Sequence, residues 1–238
     1  MESTHSEAHS TDFWITNIIQ KYRESYKQEL KKKKETRIYI PGEKLSFETF
    51  CKLLEAAGSN ALIKQNIRSK FAIDNNNKQV IEQLYFWLIT DERFNGNPNK
   101  GLALVGPFGV GKTILLEAFC NLTNDLVENL PFKKTKFYKT QYVFDSIAAN
   151  NGVIPTEFIN TPIVLDEMGR ESLYSTSFGN QTAPIVNLIQ KRYDLGRLTH
   201  LTANFDLQGL TDKYGLMITD RLKEMVNFLE FKGQSRRK

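Results

Sequence analysis

Residues 106–113 read Gly106, Pro107, Phe108, Gly109, Val110, Gly111, Lys112, Thr113, a full match to the pattern G-x-x-x-x-G-K-[ST]. Each part of the pattern has a physical task. Glycines let the backbone take left-handed or crowded conformations, so that successive N–H groups turn toward one anion. A helix starting near Lys112 and running through Ile114 aims its positive end at the same point. The ammonium of Lys112 adds a charge between β- and γ-phosphates, and the Thr113 hydroxyl is a ligand for magnesium. The context agrees, because 102–105 reads as a buried strand before the loop and 114–119 as helix after it. The stretch therefore predicts a cradle for a nucleoside triphosphate, ATP, with Mg2+.

A second stretch completes that chemistry. Pro162-Ile-Val-Leu-Asp166-Glu167-Met-Gly169 is a short apolar run ending in two adjacent carboxylates. Such a run is a central strand delivering its acids to the carboxyl edge of a sheet, where ligands of open α/β sheets bind. Asp166 is placed to hold magnesium through its water shell, and Glu167 to orient or deprotonate an attacking water. A carboxylate at that position favours transfer to water over transfer to a small acceptor.

Outward from these two stretches, short apolar runs alternate with helical patterns. Strands are expected at 101–105, 136–139, 163–165, 199–203 and 226–231. Helices are expected at 113–127, 141–150, 183–195, 206–214 and 216–225. This alternation predicts βαβ units, a parallel sheet and right-handed crossovers, hence a three-layer α/β sandwich. Segment 171–181, rich in Ser, Thr and Gly, reads as a mobile loop. His5, His9 and His200 have no nucleophile or metal partner in the sequence.

The ordered set of phosphate loop, Leu165-Asp166-Glu167-Met168-Gly169, the strand ending Leu201-Thr-Ala-Asn204 and the later Thr219-Asp-Arg221-Leu222 resembles an AAA+ ATPase. More narrowly, it resembles the DnaC-type helicase loaders and IstB-type transposition helpers, over roughly residue 71 to the end. The resemblance implies that Asn204 is a polar sensor of the γ-phosphate. It also implies that Arg221, in Tyr214-Gly215-Leu-Met-Ile-Thr-Asp-Arg221, is a finger reaching a neighbouring subunit's nucleotide. On its residues alone, Arg221 reads as a surface ion-pair arginine. The helix carrying Ile189 to Tyr193 fits the same resemblance. The closing Gly233-Gln-Ser235-Arg236-Arg237 resembles a terminal G-x-S-x-R stretch, which makes Arg237 a second sensor. Only 34 residues follow Asn204, which fits a fold lacking a carboxy-terminal lid domain.

Residues 1–70 are expected to be a helical amino-terminal segment, and 71–238 the AAA+ P-loop domain. From 12 to 34, Trp14, Ile15, Ile18, Ile19, Tyr22, Tyr26 and Leu30 line one helical stripe. The stripe either packs on the protein's own core or docks a partner, and the break at Tyr39-Ile40-Pro41-Gly42 would uncouple it. Lys31 to Lys34 read as a solvated helix end. Further helices are expected at 46–57, capped by Gly58, at 60–71, and from a cap at 74–77 through 91.

Composition limits the function classes. The chain has 238 residues, 40% hydrophobic and 25% charged, with a formal charge of +5. Two cysteines, Cys51 and Cys120, lack partner histidines at metal spacing, so zinc modules and disulfide scaffolds are not expected and a reducing cytoplasm fits. No apolar run has the length of a membrane span. The expectation is an ATP hydrolase working as a homo-oligomer on DNA, single-stranded in preference, that loads or remodels a replicative helicase. A helper ATPase recruiting a transposase on duplex DNA is the near alternative, and a small-molecule kinase on the same loop the distant one.

Overall fold

Five short segments, most of them largely buried, form one parallel sheet flanked by helices. The computed structural model describes residues 14–21, 23, 24, 40, 42, 44–127, 133–177 and 180–236. Its strands are β1 (Gly101–Val105), β2 (Lys136–Lys139), β3 (Ile163–Met168), β4 (Ser175–Ser177), β5 (Asn180–Thr182), β6 (Thr199–Ala203) and β7 (Val226–Glu230). The helices from residue 47 onward are α1 (Phe47–Lys64), α2 (Lys78–Ile89), α3 (Lys112–Leu126), α4 (Thr140–Ala149), α5 (Thr156–Asn160), α6 (Pro184–Asp194), α7 (Leu207–Tyr214) and α8 (Leu216–Met225). The sheet order is β2-β3-β6-β1-β7, with every pair parallel. All five carboxyl ends therefore meet at one edge. Because β6 lies between β1 and β3, whatever follows Ala203 sits between the phosphate loop and the acids of β3.

The two-residue period of a strand divides the core. Leu102 and Leu104 of β1 face a cluster with Phe50, Leu53, Ile81, Leu84, Leu115 and Phe119 of α1 to α3. Ala103 and Val105 face the other way, toward Val143, Phe158, Leu188, Leu210, Ile218 and Leu222 of α4 to α8. This is the expected three-layer arrangement, and strands buried on both faces account for the unbroken apolar runs.

Helix α1 departs from expectation. Gly58 does not end it; the helix runs on to Lys64, and no separate helix spans 60–71. Gly58 is instead a point of close approach, since a Cβ there would lie 2.4 Å from Cγ of Phe71. Segment 171–181 is not a plain loop either, because it contributes β4 and β5 to an antiparallel hairpin. Before α2, the Asp74 carboxylate accepts from the backbone N–H groups of Asn76 and Asn77, closing the turn that opens the helix.

The described part of the amino-terminal stripe packs on the protein itself. Ile15, Ile18 and Ile19 lie against the first core cluster, and Arg23 Nε donates to the carbonyl of Asp125 at 2.6 Å. Tyr22, Tyr26, Leu30, Lys31 to Lys34, Tyr39, Pro41, His5 and His9 lie outside the described residues. His200 is a core residue whose Nδ1 accepts from Leu102 N at 3.2 Å, with its ring edge-on to Trp87.

At the sheet edge opposite the site, Arg192 is fully buried without a carboxylate. Its guanidinium donates to the carbonyls of Phe158 (2.6 Å), Ile159 (3.3 Å), Thr161 (3.1 Å) and Leu198 (2.6 Å), and to Thr199 Oγ1 (2.9 Å). It thereby ties the end of α5 to the starts of β3 and β6. Burial first, then the charge of Arg197, push its pKa down to about 9, so it remains a cation at neutral pH.

Candidate active site

β1 ends at Val105, and the chain turns through 106–111 before α3 begins at Lys112, with Gly111 as a left-handed N-cap. The loop thus opens onto the positive end of a fifteen-residue helix. Gly109 has φ +79, and a Cβ on it would lie 2.2 Å from Ser235 Oγ, so a larger residue there would be strained and would push Ser235 aside. Lys112 is folded into the loop: Nζ donates to Gly106 O and Pro107 O at 2.7 Å each, and to Asn204 Oδ1 at 2.8 Å. The loop and the end of β6 are joined through one ammonium group. Asn204 Nδ2, on the other side of that amide, is buried without a hydrogen-bond partner among the described residues.

Asp166 is the centre of the second half. The carboxylate is fully buried, and Oδ1 accepts from Thr113 Oγ1 at 2.8 Å and from Thr202 Oγ1 at 2.7 Å. Oδ2 accepts from Lys139 Nζ at 2.6 Å, and the backbone carbonyl accepts from Thr140 Oγ1 at 2.8 Å. Burial lowers the pKa of Lys139, but the hydrogen bond and charge of Asp166, with those of Glu167, outweigh it and leave the lysine raised. Thr113 and Asp166 present a hydroxyl and a carboxylate oxygen side by side. Those are the hard donors magnesium accepts alongside water and phosphate, so the residues fit that ion.

Adjacent residues of a regular strand point to opposite faces, so Asp166 and Glu167 would be separated. A bulge prevents this. Leu165 pairs with Leu201 and Met168 with Ala203, leaving Asp166 and Glu167 together opposite the single residue Thr202. Glu167 takes φ +58, and its N–H donates to Thr202 Oγ1 at 2.9 Å while that hydroxyl donates to Asp166. One threonine therefore sets both acids. The Glu167 carboxylate lies 3.6 Å from Lys139 Nζ and accepts from Arg170 Nη1 at 2.9 Å.

The chain after Glu167 is anchored by a third carboxylate. Glu171 is buried, accepting from Gly169 N at 3.0 Å and from the Tyr214 hydroxyl. Burial and then the Glu171 charge raise the pKa of Tyr214 well above the usual phenol range. This pair fixes the loop between Glu167 and Glu171 against α7.

Of the residues expected from the sequence, Gly106 to Thr113, Asp166, Glu167 and Asn204 converge at one edge. Arg221 does not join them. It lies on α8, in the layer across the sheet from α3, with its guanidinium 5.3 Å from the Tyr193 ring centroid. Its Nη1 is buried without a hydrogen-bond partner among the described residues. Arg237 lies outside the described residues; its neighbour Arg236 reaches the phosphate loop, donating N–H to Gly109 O at 2.9 Å. Lys139, Thr202, Thr140 and Arg236 were not expected. Lys139 and Thr202 had a signal in the sequence, since both close or nearly close a strand and parallel strands share one carboxyl edge.

The sheet order, the loop between β1 and α3 and the acids at the end of β3 together make an AAA+-type P-loop fold. Neither a family model nor a curated protein matches the sequence. Among solved structures, the chain is similar to the DnaC helicase loader, with 23% identity and a TM-score of 0.51, over 69% of this chain and 95% of that one. It is also similar to DnaI, at 23% identity and a TM-score of 0.50, over 70% and 87% of the two chains. No helix among the described residues is long and apolar enough to cross a membrane.

Proposed function

We propose that this chain hydrolyses ATP to ADP and phosphate, and that it does so as a DNA-bound oligomer that loads or remodels a replicative helicase on single-stranded DNA. The observation that carries the hydrolase reading is the pair of bridges across the sheet edge, Lys112 to Asn204 and Thr113 to Asp166. These join a phosphate-binding loop to a sensor amide and to a buried carboxylate. The loop N–H groups and Lys112 bind the β- and γ-phosphates, with Asn204 Nδ2 as a further donor. Thr113 and Asp166 would hold Mg2+, which supplies charge compensation for the phosphates. Glu167 accepts a proton from water as the water oxygen bonds to the γ-phosphorus and the bond to the bridging oxygen breaks. To do so it must leave Arg170.

Arg221 stands in the opposite layer and has an unpartnered Nη1. A role toward a neighbouring subunit's nucleotide accords with that placement and couples hydrolysis to assembly. The loader role is supported by the resemblance of the motifs and by the fold likeness to the DnaC loader and DnaI. The test is ATP turnover against protein concentration, with and without single-stranded DNA, beside Lys112→Ala and Arg221→Ala. Specific activity should rise with concentration and DNA, vanish in both variants, and partly return when the two are mixed. Activity indifferent to concentration, DNA and Arg221→Ala would overturn the oligomer.

A further inference from the structure

Beyond β7 the chain does not leave the site. Phe231 N donates to Val105 O at 2.7 Å, and Phe231 O sits 2.2 Å from where a Cβ on Gly106 would lie. Ser235 occupies the corresponding space beside Gly109, and Arg236 Cδ comes within 3.7 Å of the same position on Gly111. Gly106 and Gly109 thus make room for this tail, and at Gly111 the tail lies at ordinary contact distance. Arg236 makes two anchoring contacts. Its backbone N–H holds the carbonyl of Gly109, and its Nη2 pairs with Asp74 Oδ1 at 2.7 Å, in the turn that opens α2.

From these contacts we infer that Arg236 and Asp74 form a clasp that braces the phosphate loop in its binding shape, with Arg236 as a positioning residue. The inference rests on the nucleotide-binding reading above. In a trans peptide, the C=O of one residue and the N–H of the next point to opposite sides. With Gly109 O held by the tail, Val110 N–H is turned away from the tail and freed for an anion. Glycine at 109 makes that peptide easy to flip, so an external hold is what keeps the donor aimed. The ion pair is half-exposed on both sides, 35% and 42%, so it adds little to global stability and acts instead on where the tail lies. Because Asp74 belongs to the segment before α2, the clasp also joins that segment to the loop across the tail.

The test is the affinity of a fluorescent ATP analogue with Mg2+ for the full chain, with thermal unfolding measured in parallel without nucleotide. Arg236→Glu should weaken binding by about five- to tenfold, with the unfolding temperature nearly unchanged. Asp74→Asn keeps an oxygen for the N–H groups of Asn76 and Asn77 but removes the charge that holds Arg236; it should also weaken binding, and the double variant Asp74→Asn with Arg236→Glu should bind no more weakly than Arg236→Glu alone. Losses that add in the double variant would overturn the clasp, since they would leave Arg236 acting by its own charge on the phosphates. Unchanged affinity in Arg236→Glu would also overturn it. Absence of binding to the wild-type chain would instead sink the nucleotide reading itself, which Lys112→Ala tests independently.

Discussion

Replacing Lys139 by Met should make the metal-free protein weaker and its grip on magnesium stronger. The lysine ammonium lies 2.6 Å from Asp166 Oδ2, and that carboxylate is fully buried while the lysine side chain is 54% exposed. A charge-assisted hydrogen bond is worth roughly 1.5–3 kcal/mol. Solvent around the exposed lysine end reduces this to about 1–1.5 kcal/mol. Methionine keeps the length of the side chain and removes the charge. Asp166 would then retain only the hydroxyls of Thr113 and Thr202 on Oδ1. For a chain of this size, the loss corresponds to a fall in unfolding temperature of about 2–6 °C in chelator.

The same deletion removes a competitor. In wild type, a cation arriving at Thr113 and Asp166 must displace Lys139 or share the carboxylate with it. Without the lysine, the apparent affinity for Mg2+ with a non-hydrolysable ATP analogue should rise about fivefold to tenfold, matching the stability lost. The assay is thermal unfolding across a magnesium titration, checked by calorimetry. The variant should start below wild type and converge on it as the metal saturates. A variant that is less stable in chelator and also binds magnesium more weakly would refute the reasoning, because Lys139 would then be supporting the metal site.

Three other outcomes follow from single contacts. Glu167→Gln should lower turnover by at least about 100-fold, while analogue affinity stays within about twofold by fluorescence titration. Arg192→Leu strands the carbonyls of Phe158 and Leu198, each 2.6 Å from the guanidinium. It should therefore cost about 3–5 kcal/mol in urea unfolding. Gly58→Ala would gain about 1 kcal/mol on helix propensity alone. With Phe71 Cγ 2.4 Å from the new Cβ, it should instead destabilise by about 1–3 kcal/mol, measured the same way.

How far the sequence could be read depended on whether a feature was local. The loop 106–113 carries its geometry in its own glycines and in the helix behind it, and the strands of the sheet announce themselves as apolar runs too short for helices. Gly58 was misread because a glycine at the end of a helical pattern and one that admits a distant ring look the same along the chain. Phe71, the reason for it, is thirteen residues on. The bulge at Asp166 and Glu167 was also invisible, since it exists only as a register between β3 and β6. Lys139 looked like any lysine at a strand end until β2 was placed next to β3, with Lys139 opposite Asp166.

The polar groups of the site are provisionally satisfied by one another. Lys112 rests on two loop carbonyls and Asn204, Thr113 rests on Asp166, and Lys139 spans both acids. A bound nucleotide with its metal would replace each of these contacts by one of equal kind, so binding needs exchange of partners and little rebuilding. Two buried side-chain nitrogens among the described residues are left over, Asn204 Nδ2 and Arg221 Nη1. Each such orphan costs roughly 1–3 kcal/mol. A chain selected for stability alone has no use for them. One sits beside the phosphate loop and the other in the opposite layer, stacked on Tyr193. A phosphate oxygen in the chain's own cradle would satisfy the first. The second has no acceptor among the described residues and is buried, so the proposed finger role makes a definite demand: the Arg221 side chain must swing away from Tyr193 to meet an acceptor on another copy.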